Sequence, residues 1–190
     1  MKPSKIIVGV LVALAIIYSI LCFIGPKGTD ISRDTTIDAP ADIIFSNLSD
    51  ISKWEEWGTW YEQDPDMQIS YSPNKMGIGA KSTWKSETLG NGSQEIIEVK
   101  PKALIKTKLL FDDWEGHSIA DIILTENADQ KTKVTWTLKG DRDFPFFMRG
   151  MMQLINFEGM IQNDYDTGLA NLKALSEKQA KEQPITYNPE

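Results

Sequence analysis

The sequence predicts an α+β protein: a seven-stranded curved antiparallel sheet wrapped around a long C-terminal helix, preceded by one N-terminal transmembrane helix. Three observations carry that expectation. From Ile6 to Ile24 the chain runs 19 residues without a charge. Between residues 66 and 139 six short runs alternate apolar and polar side chains, after one earlier strand-like run at 31–38. From Pro145 onward the apolar spacing changes from two to three and four.

Taken in order, IIVGVLVALAIIYSILCFI (6–24) matches a hydrocarbon layer of roughly 30 Å at about 1.5 Å per residue. A cleaved signal peptide would share the positive start at Lys2 and Lys5. Its apolar core is shorter, however, roughly 7–15 residues, and no small-x-small site follows this run. Cys22 follows Leu21 inside the run and reads as a buried apolar residue rather than a lipidated one. The two lysines favour a cytoplasmic N-terminus and a domain in the periplasmic or extracellular space, with Lys27 and Arg33 weakly opposed. A single cysteine excludes an internal disulfide and leaves the compartment open.

Residues 1–30 sum to +2, so the other 160 residues hold −9 of the total −7. So acidic a domain repels phosphate backbones, and no nucleic-acid partner is expected. The membrane is met through residues 6–24. GPKGTD (25–30) is a turn-rich linker of about 20 Å when fully extended, short enough to hold the domain against the bilayer.

ISRDTTID (31–38) reads as a strand ended by Ala39-Pro40. ADIIFSNLSDI spaces Ile43, Ile44, Leu48 and Ile51 as a short helix, and ISKWEEWGTW continues through Trp54 and Trp57 until Gly58 breaks it. DMQISYS, GAKSTWKSE, SQEIIEVK, ALIKTKLLF, HSIADIILT and KTKVTWTLK are the six further strands. PNKMG, LGNGS and ENADQK join them as hairpin turns. Phe147, Met151, Leu154, Ile155, Met160, Ile161, Tyr165, Leu169, Leu172 and Leu175 then form one helical stripe, with a kink expected near Gly159. KEQPITYNPE reads as a frayed tail. The helix stripe and the alternating strands each need a partner surface, so the helix is laid across the concave face of the sheet.

The segments IDAPADIIFSNLSDISKWEEWGTW, MGIGAKSTWKSETLGNGSQEIIEVKP, KVTWTLKGD and DTGLANLKALSE, in that order, resemble the START-like (SRPBCC) superfamily in its polyketide cyclase/dehydrase-like branch. The likeness spans residues 31–178. It implies a helix-grip fold with a deep apolar cavity between sheet and long helix, and members that bind lipids, sterols, polyketides or other hydrophobic molecules, some as enzymes. It implies no cofactor and no shared catalytic residue. The organisation expected is an anchor at 1–24, a linker at 25–30, the START-like domain at 31–178 and a flexible tail at 179–190.

Candidate chemistry is sparse. GIGAKST (77–83) lacks the spacing and the following helix of a phosphate-binding loop, so its glycines read as a turn or bulge. His117 is the only histidine, and Cys22 lies in the anchor, so neither a His/Cys metal cluster nor a Cys-His pair can form. Ser118, its neighbour in a strand, is expected on the opposite face, and Asp121 on the same face. Asp64/Asp66, Asp112/Asp113 and Asp141/Asp143 sit in turns as solvated or capping carboxylates. His117, Asp121, Tyr61 and Tyr71 are the available acid/base groups.

Within the implied fold, Trp54 and Trp57 share a helical face and are expected in the core, while Trp60, past Gly58, is placed at the cavity mouth. Trp84 and Trp136 face the helix from strands, as core or as cavity wall, with Leu109 and Phe111 at the end of ALIKTKLLF. FPFFMRGMM (144–152) reads either as an ordinary helix start or as an adaptable methionine-rich lid or portal, offering Phe147, Met151, Met152 and, just beyond, Ile155 to a guest. The expected ligand-binding residues are therefore Trp60, Trp84, Leu109, Phe111, Trp136, Phe147, Met151, Met152 and Ile155, with no catalytic or metal-binding residue assigned. Three functions remain open: a membrane-tethered carrier or sensor of a hydrophobic small molecule or lipid, a cyclase/dehydrase-type enzyme, or a protein-interaction module whose cavity is filled by side chains.

Overall fold

The structure is a computed structural model that describes residues 3–113 and 115–182. It contains α1 (Pro3–Ile24), β1 (Asp30–Ile37), α2 (Ala41–Ser49), a 3-10 helix at Ile51–Glu56, the single-turn α3 (Trp60–Gln63), and six strands. These are β2 (Gln68–Tyr71), β3 (Lys81–Lys85), β4 (Gly92–Lys100), β5 (Leu104–Phe111), β6 (Ser118–Glu126) and β7 (Thr132–Gly140), followed by α4 (Phe146–Leu154) and α5 (Phe157–Glu182). The seven strands form one antiparallel sheet in the order β1-β7-β6-β5-β4-β3-β2. Every pairing but one is a hairpin between consecutive strands; β1 alone pairs at long range, with β7.

Alternation decides which strand face meets α5. In β7, Val134, Trp136 and Leu138 are buried, while Lys133 and Lys139 are exposed. In β5 the buried set is Ile105, Thr107 and Leu109. The alternation in β4 fails after Ile97, where a bulge between Ile96 and Glu98 shifts the register against β5 and brings Val99, opposite buried Ile105, to the core side. Tyr165, Leu169 and Leu172 of α5 complete the core, joined by Trp54 and Trp57 as the shared helical face predicts. Trp54 settles its indole N–H on the Leu48 carbonyl at 3.0 Å. Buried Asn47 of α2 donates to Gln179 of α5 at 2.7 Å and to Ser176 at 3.3 Å, a polar clasp between the two helices.

Two helical expectations need correction. Gly58 does end the 3-10 helix, but Trp60 opens a further turn rather than leaving helical structure. The long stripe from Pro145 is two helices, not one kinked helix. The break lies at Ile155–Asn156, three residues before Gly159, where Asn156 takes the left-handed conformation (φ 52°) that asparagine tolerates better than most residues. The Asn156 side chain then lies over Gly159, where a Cβ would collide with it. α5 continues to Glu182, past the expected start of the tail at residue 179, and the rest of that tail, 183–190, lies outside the described residues.

α1 is long and apolar enough to cross a membrane. It is exposed along most of its length, and its final turns pack on α4. The Tyr18 hydroxyl donates to the Phe147 carbonyl at 2.6 Å, and Phe23 meets Phe146 edge-on with ring centres 5.0 Å apart. Cys22 is buried against Gly150, whose missing side chain makes room for its sulfur.

Candidate functional site

One half of the concave face is packed and the other is open. Strand register locates the boundary. Ser82, Gln94, Leu109, Ser118 and Gly140 are successive cross-strand partners on β3, β4, β5, β6 and β7, and the Gly140 N–H donates to Thr29. This row, with Trp84 and Phe111 one pleat further out and Leu138 one pleat further in, floors a cavity of about 940 Å³. Trp60 and Tyr61 of α3 form one wall, and Ile155, Phe157, Met160 and Tyr165 of the α4–α5 junction form the roof. Pockets for small apolar ligands fall in the range of roughly 300–1,000 Å³, so this one lies near the upper end.

Deeper rows are closed by α5. Tyr165 stacks on Trp136 with ring centres 3.9 Å apart and planes at 21°, and Gly168 brings the helix close enough that a Cβ would sit 3.1 Å from the indole. Trp136 also meets Trp57 at 5.4 Å and Trp60 at 6.0 Å, both edge-on. The tryptophan ring is thus the end wall of the core, with Tyr165 between it and the cavity.

Five of the nine expected residues line the cavity, namely Trp60, Trp84, Leu109, Phe111 and Ile155. Trp136, Phe147, Met151 and Met152 do not. Trp136 is covered by Tyr165; Met152 faces inward from α4 and is buried; Phe147 and Met151 lie on the outer face of α4, where helical rotation carries them away from the sheet. Of the three methionines in 144–152, Met148 borders the cavity. Leu138, Tyr165, Met160 and Gln94 line it without having been singled out as ligand contacts. The helical stripe already contained Tyr165 and Met160, but nothing in it distinguished the turns that roof the cavity from those that pack the core.

Trp84 occupies the floor through a glycine. A Cβ on Gly92, its cross-strand partner, would fall 2.5 Å from the Trp84 ring. The bare backbone there lets the indole lie across β4 and meet Phe111 edge-on at 5.7 Å.

Polar groups are few. Gln94, 6% exposed, donates to the Thr107 hydroxyl at 3.0 Å and faces the cavity from the middle of the floor. At the rim the Asp141 carboxylate accepts from the His117 backbone N–H at 2.9 Å and lies 3.0 Å from His117 Nδ1. That backbone hydrogen bond, then the imidazole, holds the Asp141 carboxyl below the usual carboxylate range. His117 and Ser118 both border the cavity, not opposite faces, because His117 precedes β6 and escapes its alternation. Asp121 does not join His117; it faces Lys106 at 3.8 Å. Tyr61 lines the cavity with its phenol pushed up to about 12, first by burial and then by the Glu55 charge. Tyr71 donates to Glu55, and burial with that hydrogen bond raises it as well. Both phenols therefore keep their protons at neutral pH and are poor proton donors there. Among the described residues no group of three or more His, Cys, Asp or Glu side chains is placed to hold a metal ion.

A curved seven-stranded sheet closed by a long C-terminal helix over a ligand-sized apolar cavity defines a helix-grip domain. The chain belongs to the polyketide cyclase/dehydrase and lipid-transport family, whose model matches residues 29–177. Solved structures share the fold at low identity. A protein from Chromobacterium violaceum is 17% identical with a TM-score of 0.56, the match covering 78% of this chain and 97% of that one. One from Nitrosospira multiformis is 12% identical with a TM-score of 0.58, covering 80% and 99%. The Aha1 dimer from Colwellia psychrerythraea is 16% identical with a TM-score of 0.55, covering 78% and 96%. No curated protein matches the chain in sequence.

Proposed function

We propose that this chain is a membrane-tethered binding protein, a carrier or sensor, for one hydrophobic small molecule or lipid held between the sheet and α5. The cavity of about 940 Å³ walled by Trp60, Trp84, Leu109 and Phe111 is the observation that carries this reading. Aromatic walls offer large apolar area and orient flat or extended guests, while Gln94 supplies a buried amide for one polar atom of the guest. Family membership agrees with it. Residues 1–24 serve as the anchor, 25–30 as the linker and 31–178 as the binding domain. The contacts of Tyr18, Cys22 and Phe23 with α4 support a retained anchor, because cleavage would uncover them.

Native mass spectrometry of the full chain, released from the membranes of its own cells, should find one apolar molecule bound per chain. A folded chain carrying none would favour the interaction-module reading. The His117–Asp141 pair at the rim favours cyclase/dehydrase-type chemistry as a second reading, since an oriented imidazole beside an apolar cavity can move a proton. The same measurement on His117→Ala separates the two: a carrier retains the same bound mass, whereas an enzyme accumulates a different one.

Lys2 and Lys5 orient the N-terminus to the cytoplasm in this reading, with the domain on the other side of the membrane. A reporter that works only outside the cytoplasm should be active when fused after Glu190. Activity of a cytoplasm-only reporter at that position would overturn the orientation.

A further inference from the structure

α4 presents an apolar face that the rest of the domain leaves uncovered. Phe147, Met151 and Leu154 stand at i, i+4 and i+7, so they share one side of the helix. Phe147 is 65% exposed and Leu154 63%, whereas Met152 on the inner side is buried and Gly150 is covered by Tyr18 and Cys22 of α1. Ile155 and Met160 extend the face across the α4–α5 break, are themselves half or more exposed, and also line the cavity. The uncovered patch and the cavity roof are continuous.

What covers this patch follows from what α4 packs on. Its partners on α1 are Tyr18, Cys22 and Phe23. The apolar helix ends at Ile24, so Tyr18 lies six residues, or about 9 Å, inside the end of the span. All 19 residues of the apolar run from Ile6 to Ile24 are needed to cross a layer of roughly 30 Å. A helix in contact with Tyr18 and Cys22 therefore sits at the depth of the acyl–headgroup boundary, where amphipathic helices bury an apolar face roughly 5–10 Å deep.

Resting on the anchor reading above, we propose that the outer face of α4 is embedded in the interface of the bilayer that α1 spans and forms a lipid-facing mouth to the cavity. Between residues 144 and 157 the only charged side chain is Arg149, whose guanidinium lies 3.5 Å from Asp143. Insertion is thus driven by apolar burial, and the acidic domain directs it to a zwitterionic rather than an anionic surface. Through Ile155 and Met160 a guest passes between leaflet and cavity without crossing water.

The test uses the full chain in phosphatidylcholine nanodiscs, in a Cys22→Ala background, with an environment-sensitive fluorophore at one new cysteine. The sites are Leu154→Cys on the α4 face, Leu11→Cys within α1 and Asp129→Cys on the β6–β7 turn at the far end of the sheet. Labels at 154 and 11 should lose most of their emission to a spin-labelled phosphatidylcholine and little to aqueous iodide, and the label at 129 should do the reverse. Should 154 behave like 129 while 11 is quenched from the lipid, the proposal fails and the anchor reading stands. If 11 is also quenched only from water, both fail. A label at 154 shielded from both quenchers means that a second copy of the chain covers the face, which overturns the proposal. Met151→Cys repeats the measurement should Leu154→Cys not fold.

Discussion

Trp136→Ala should destabilise the domain by about 3–5 kcal/mol, the cost of removing a buried aromatic ring. At roughly 2–4 °C per kcal/mol, thermal unfolding should fall by roughly 6–20 °C. The ring is 2% exposed and touches Tyr165, Trp57 and Trp60 together, so its loss leaves a void that three aromatic neighbours from three elements border. None can fill it without leaving its own site. Lys139→Ala, on the outward face of the same strand, should move stability by no more than about 0.5 kcal/mol. Equal melting temperatures for the two variants would mean that the register of β7 against β6 and β1 is wrong.

Leu109→Glu should abolish uptake of an apolar guest while leaving the chain folded. Leu109 is the centre of the cavity floor, flanked across the sheet by Gln94 and Ser118. In the empty protein a carboxylate there can meet water entering the cavity. A bound apolar guest would expel that water and leave the charge unpaired, at a cost of several kcal/mol, and each 1.4 kcal/mol or so is tenfold in affinity. Titration with an environment-sensitive hydrophobic dye should show a loss of about 100-fold or more. Leu109→Trp tests volume without charge and should weaken the same binding by narrowing the floor. Unchanged dye affinity in both variants would remove the cavity from the binding function.

Some of the site was legible in the sequence. Trp60 could be separated from Trp54 and Trp57 because Gly58 interrupts the helical face that the other two share, and those two do enter the core. Leu109 and Phe111 were legible as the end of an alternating strand. Trp136 was not, because alternation tells which face a residue takes and nothing about how far along the strand α5 presses down. That limit depends on Gly168 and on the stacking of Tyr165, residues that meet Trp136 only across the fold. The methionine segment misled for a related reason. Its composition suits a pliable wall, but the rotation of α4, held by Gly150 against Cys22, turns Met148 toward the cavity and Met151 away from it.

The sequence by itself determined the elements: an apolar N-terminal helix, one early strand, six further strands in hairpin succession, a C-terminal helical segment, and the family to which they belong. The elements follow from local periodicity, turn chemistry and uncharged length, each read within a short stretch of chain, and the family follows from the resemblance of four motifs in order across 31–178. Only the tertiary structure decided where the concave face stays open, that the terminal helix breaks at Asn156, and that His117 turns to Asp141 rather than Asp121. Each of these depends on groups brought together from distant parts of the chain. A bulge such as that after Ile96 shifts the register by one residue and leaves no mark on composition or period, so the row of side chains that floors the cavity becomes visible only when the strands are paired.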